Sequence, residues 1–232
     1  IEPLRAQAVR DLVQPTNSGL VLVLEIAWEP RLEPIALLQP TAALRVTTPA
    51  DDRLPIDHPA EQLVAEPPPG SISTELAIPL KLPDRASIET LSAAGQFVAL
   101  TPARTADFRF SKLPGSEPVE QNEGGVTVVL ERVAERQGLW EFHIRLQLPD
   151  DVPGLASHVG WAYQNRTYLL HDDGEQVDHA GFETTSNQPG EIGLAYFFEI
   201  TEPLDQYVWV YQSTVSIRAI RIDYELENVP LP

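Results

Sequence analysis

The chain has 232 residues, 43% of them hydrophobic, with 34 acidic against 16 basic residues and a formal charge of −18. That excess of negative charge disfavours nucleic acid and anionic membrane faces as partners, since both are polyanions. The absence of cysteine excludes disulfides, thiolate metal centres and cysteine nucleophiles.

Methionine is also absent and the chain starts at Ile1, so the expectation is a processed N-terminus. No apolar run approaches the ~20 residues that a membrane-spanning helix needs. The 22 prolines are spread along the whole length. A helix interior rejects proline at a cost of about 3 kcal/mol, whereas strand ends and loops accept it, so the composition points to an all-β fold.

In chain order, residues 1–18 read as an extended leader able to add an edge strand. Residues 19–28, GLVLVLEIAW, are the first strand, broken only by Glu25. Short strands are expected at 35–38 and 42–48, followed by a turn cluster at 49–59 and a stiff Pro-Pro-Pro-Gly loop at 67–70. Residues 71–82 alternate, with Ile72, Leu76, Ile78, Leu80 and Leu82 sharing one parity, so one face is buried. A helical turn is expected at 85–91, then strands at 95–100 and 105–110.

Residues 111–125, SKLPGSEPVEQNEGG, are polar and rich in Gly, Pro and Glu, and read as a joint. Strands follow at 126–133 and 140–148 around the turn at Gln137 and Gly138. Further strands are expected at 159–163, 166–170, 192–200, 207–212 and 215–226, with turns at 149–154 and 171–176 and a polar loop at 182–190.

The two sides of the joint echo each other. LAIPL at 76–80 answers LAYFF at 194–198, QFVAL at 96–100 answers QYVWV at 206–210, and FRFSKLP at 108–114 answers YELENVP at 224–230. Matches in the same order predict a duplication. Short strands between Gly and Pro turns predict two tandem immunoglobulin-like β-sandwich domains: residues 1–114 with the leader 1–18, a linker at 115–125, and residues 126–232. Residues 1–114 hold 10 basic and 14 acidic side chains, and residues 115–232 hold 6 and 20, so the acidity belongs to the second half.

Trp161, Asn165 and Arg166, then Tyr168, Leu169 and Leu170, then Gly181, Phe182, Glu183, Thr184 and Thr185, and the closing Val229, Pro230, Leu231 and Pro232 carry a resemblance. On these residues the chain, chiefly over 120–232, resembles an uncharacterised family of bacterial extracytoplasmic proteins built from tandem immunoglobulin-like domains. The resemblance implies a secreted, periplasmic or cell-surface location and carries over no catalytic residues.

The leading candidate surface is Tyr207, Trp209 and Tyr211, which share one face of a strand. Val208 and Val210, like Val98 and Leu100 of the first half, suit a core, and this leaves two readings. Facing outward, the three rings form an amphipathic strip for sugar stacking or a protein interface. Covered on both sides, they are packing.

Asp150, Asp151, Asp172, Asp173, Glu175 and Asp178 offer loop oxygens of the kind calcium takes, but at no EF-hand spacing, and Asp-Gly is ordinary turn chemistry. His171 and His179 flank that turn without a zinc-motif spacing. Asn165-Arg166-Thr167 is a formal N-glycosylation acceptor. The sequence has no nucleophile elbow, phosphate-binding loop or dinucleotide fingerprint, so no catalytic residue, cofactor or metal ligand is assigned.

The expected function is a non-catalytic extracytoplasmic binding, adhesion or spacer protein whose partner is a protein or a glycan. The alternatives are a carbohydrate-binding module using Tyr207, Trp209 and Tyr211, and a hydrolase using paired carboxylates.

Overall fold

The computed structural model describes residues 1–14, 18–82, 88–111, 113, 117–149 and 158–231. The fold is all-β and sandwich-like, with 63% of residues in strands, 7% helical, and several antiparallel sheets. The strands are β1 (Glu2–Val9), β2 (Gly19–Ala27), β3 (Ala36–Pro40), β4 (Arg45–Thr47), β5 (Gln62–Ala65), β6 (Ser73–Leu80), β7 (Thr90–Phe110), β8 (Val119–Glu123), β9 (Val126–Arg136), β10 (Leu139–Gln147), β11 (Thr167–His171), β12 (Gln176–Asp178), β13 (Gly181–Gln188), β14 (Glu191–Phe198) and β15 (Tyr207–Pro230).

Two compact units emerge, one of residues 1–101 with 219–232, the other of residues 102–218. Their limits fall inside β7 and β15, not in the 115–125 segment expected as a linker. Part of that segment, residues 119–123, is strand β8, paired to β9 from Val119 against Leu130 to Glu123 against Val126. Joint residues 112 and 114–116 lie outside the described residues, as do residues 85–87 of the helical turn expected at 85–91, whose last two residues instead open β7.

In the first unit β1, β2 and β6 form one sheet, while β3 pairs with β5 and β7, and β4 also pairs with β7. Residues from both sheets interleave in one core, including Leu22, Leu24 and Ile78 from the first and Leu37, Leu63 and Phe97 from the second. The apolar alternation of β2 and β6 supplies this core, since period-two spacing puts Leu20, Leu22, Leu24 and Ile26 on one side. The last stretch of β15 belongs here too. Val229 is buried in this core, and Ile220, Ile222, Tyr224 and Leu226 pack against it.

In the second unit the five-stranded sheet runs β13-β14-β10-β9-β8, and β11 pairs with β12 and β15. Phe142 and Phe198 of the five-stranded sheet meet edge to face at 5.1 Å. Phe142 also reaches Trp209 of β15, the ring centroids 5.8 Å apart. The expected strand at 159–163 is instead a 3-10 helix, Val159–Gln164. The expected polar loop at 182–190 is largely β13, an edge strand paired to β14 whose polar side chains are mostly exposed.

Several strand pairings of the first unit recur in the second, which adds β8 and β13. β2 pairs with β6 through Leu24 and Leu76, and β10 with β14 through Ile144 and Leu194. β3 pairs with β7 through Leu38 and Val98, and β11 with β15 through Leu170 and Val208. Even the irregularity coincides. Leu4 bulges opposite the Val23–Leu24 step, and Glu131 opposite the His143–Ile144 step.

β7 and β15 each change the parity of their buried face. In β7 it passes from Leu91, Ala93, Phe97, Ala99 and Thr101 to Ala106, Phe108 and Phe110. In β15 it passes from Tyr207, Trp209, Tyr211, Ser213 and Val215 to the partly buried Ile220, Ile222, Tyr224 and Leu226. Each switch falls at the boundary between units.

Candidate functional site

Tyr207, Trp209 and Tyr211 do not form an exposed strip. Trp209 and Tyr211 are fully buried and Tyr207 is 5% exposed. The inner face of β15 in this unit is the aromatic one, and the less covered side belongs to Val208. The same holds in the first unit, where Phe97, Ala99 and Thr101 point inward and Val98 is half-buried. Both faces of these strands carry apolar residues, so alternation alone does not say which face is inside. The larger rings take the inner face because burying them removes the most apolar surface from water.

Trp209 sits between Phe110, 5.1 Å away centroid to centroid, and Tyr211, 5.7 Å away. Its Nε1 has no hydrogen-bond partner among the described residues. The hydroxyl of Tyr211 accepts a 2.9 Å bond from Asn165 Nδ2, which also reaches Ser213 Oγ at 3.3 Å. Burial pushes the Tyr211 phenol up to about 12. Tyr196 is raised further, by burial first and then by the neighbouring Tyr211 phenol. Asn165 is therefore a hydrogen-bonding post for the core and not a free glycosylation acceptor.

The acidic loop residues are only partly described, because Asp150 and Asp151 lie outside the described residues. Among the described residues no three His, Asp or Glu side chains converge on a metal-sized point. The two candidate histidines go to different neighbours. His179 packs on the rings of Tyr196, Phe182 and Phe198.

His171 has a polar setting. Its Nδ1 is 2.8 Å from Asp173 and its Nε2 is 2.9 Å from Glu202, while the ring lies 5.0 Å from that of Tyr207. Desolvation, then Glu202, raises the Tyr207 phenol. The turn that brings Asp173 back to His171 was legible as Asp173-Gly174. The approach of Glu202, thirty-one positions away, carries no sequence signal.

Sequence reasoning also missed a shallow open groove in the first unit, lined by Arg45, Ala94, Gly95, Gln96, Asp223 and Tyr224 among others. Its floor exists because Gly95 has no side chain. A Cβ there would lie 2.8 Å from the Tyr224 hydroxyl, so the glycine lets the tyrosine ring cross the strand. That hydroxyl donates to Gln39 Oε1 at 3.0 Å, and Gln96 Nε2 donates to Asp223 at 2.7 Å. Burial pushes Tyr224 up to about 12, so its phenol stays a neutral donor at physiological pH. The groove offers a guanidinium, carboxylates and an amide around a small-residue floor, a setting for hydrogen-bonding a polar ligand.

No protein family and no curated protein matches this chain. A solved structure of manganese lipoxygenase of Gaeumannomyces graminis with a partial structure of zonadhesin of Komagataella pastoris aligns over 100% of this chain and 96% of that one. The identity is 12% and the TM-score 0.17, an overlap that supports neither a shared fold nor a shared activity.

Proposed function

We propose that the chain is a non-catalytic extracytoplasmic protein made of two tandem immunoglobulin-like β-sandwich domains that binds, adheres or spaces. The observation that carries this reading is the set of strand pairings common to the two units, down to the bulges at Leu4 and Glu131. Bulges are positional features, and the same bulge at the same step of the same strand pair supports the reading of one domain used twice. The large side chains of the central strands are committed to packing, which suits a module whose function lies on its surface. The shallow groove beside Tyr224 is a surface such a module would offer to a protein or glycan.

The test is fractionation of the source cells combined with a turnover panel. The epitope-tagged protein is expected in the periplasm, on the surface or in the medium, and inert towards glycosides and esters. Recovery in the cytoplasm overturns the location, and turnover abolished by one carboxylate substitution overturns the non-catalytic reading.

A further inference from the structure

We infer that His171 is a pH-sensitive clasp tying the turn after β11 to the turn before β15, and that the first unit holds a pH-inert counterpart of this contact at Gln39. The two residues occupy the same station. Each follows a leucine that pairs with the second valine-bearing strand of its unit, Leu38 with Val98 and Leu170 with Val208. Each also meets the glutamine two places before that valine, Gln96 or Gln206.

The chemistry differs. Gln39 is fully buried. Its Nε2 donates to the carbonyls of Pro40 at 2.9 Å and Gln96 at 3.2 Å, and its Oε1 accepts from Tyr224. None of these groups changes charge near neutral pH. His171 instead faces oxygen acceptors on both ring nitrogens: Asp173 Oδ1 at Nδ1, and Glu202 Oε2 with Gln206 Oε1 (3.1 Å) at Nε2. Oxygens of this kind accept and do not donate, so the arrangement is complete only when both nitrogens carry protons.

The titratable groups around the ring are Asp172, Asp173 and Glu175 on the β11–β12 turn, Glu202 and Asp205 before β15, and Tyr207, whose hydroxyl donates to Glu202 at 3.3 Å. The carboxylates among them favour the imidazolium. A neutral ring donates only once. Nε2–H can keep Glu202 and Gln206, while the bare Nδ1 turns to the backbone N–H of Asp173, 3.4 Å away, and the Asp173 carboxylate is released.

The two turns are also joined by the Asp172 N–H, which donates to the Gln206 carbonyl at 3.1 Å. This amide reports on the clasp.

The hydrogen bond to Asp173, then that to Gln206, raises His171 above its ordinary 6.5. The amide of Glu175, then His171, lowers Asp173 below 3.8. The sign follows from these directions. The histidine's contribution is full below pH 6.5 and is lost as pH rises through its raised value. Asp173's contribution is full above 3.8 and is lost as pH falls through its lowered value. The clasp is closed between those limits and opens on the alkaline side.

The test is an NMR titration of the imidazole protons of the whole chain, with hydrogen exchange at Asp172 corrected for the intrinsic rate. His171 is expected to titrate above 6.5, with Asp172 protection falling severalfold through that midpoint. Asp173→Asn, at an exposed side chain, is expected to lower the midpoint. His171→Gln, which installs the residue of the first unit, is expected to make Asp172 protection flat with pH. A His171 midpoint at or below 6.5, unchanged Asp172 protection across it, or the same pH response in His171→Gln overturns the inference.

Discussion

Phe142 on β10 and Trp209 on β15 bind the two sheets of the second unit together, their ring centroids 5.8 Å apart and both side chains fully buried. Removing the indole leaves a cavity bounded by Phe110, Phe142 and Tyr211, which strands cannot close by small shifts. Trp209→Ala is expected to cost about 3–5 kcal/mol, read as a lowered midpoint in urea unfolding followed by aromatic circular dichroism. A loss below about 1 kcal/mol would mean that the ring is not the packed element described above.

Gly95 and Tyr224 form the second coupled pair. A methyl group at 95 must displace the Tyr224 ring, and with it the bond to Gln39. Gly95→Ala is expected to destabilise by about 1–3 kcal/mol. Tyr224→Phe, which leaves Gln39 Oε1 without its buried donor, is expected to cost a similar about 1–3 kcal/mol. Because both changes break one contact, the double variant should cost clearly less than their sum. Additive losses in a double-mutant cycle would uncouple the two residues.

The sequence makes the strand-rich class readable because period-two runs such as Leu20, Leu22 and Leu24 have one obvious buried face. It is silent on three matters, each for a physical reason. The face of Trp209 is ambiguous because Val208 and Val210 on the other side are also apolar. The ends of the compact units are hidden because β7 and β15 run through them as unbroken strands, β7 even through Pro102, marking the boundary by a change of parity. The clasp at His171 joins Asp173, two positions away and readable as a turn, with Glu202, whose approach depends on the pairing of β11 with β15.

The membership of β15 in both units makes truncation selective. A stop codon after Arg218 removes residues 219–232, which belong to the first unit although they follow the whole of the second in sequence. The loss strips Val229 from that core and removes Ile220, Ile222, Tyr224 and Leu226, which pack against it, Tyr224 beside Phe97. The expected outcome is a large loss of amide protection in β2, β6 and the first part of β7, with protection kept in β10 and β14. Hydrogen exchange with mass spectrometry reads this directly, and uniform retention of protection in β2 and β6 would show that the last strand is dispensable.

Buried phenols make the protein sensitive to alkali. An unfolded tyrosine ionises near 10, while burial pushes Tyr211 and Tyr224 up to about 12 and raises Tyr196 and Tyr207 as well. A group whose pKa is raised on folding contributes stability that is intact below its unfolded value and is lost as pH climbs to its folded one. For the fully buried Tyr211 the loss between pH 10 and 12 is roughly 2–3 kcal/mol. Of the six tyrosines, these four are expected to ionise late in a titration followed by tyrosinate absorbance, together with loss of the aromatic circular dichroism signal. Tyr211→Phe is expected to remove one late ionisation and to flatten the dependence of stability on pH in that window. Ionisation of all six near pH 10 with the near-ultraviolet signal intact would place these hydroxyls in water and contradict the burial from which their raised values follow.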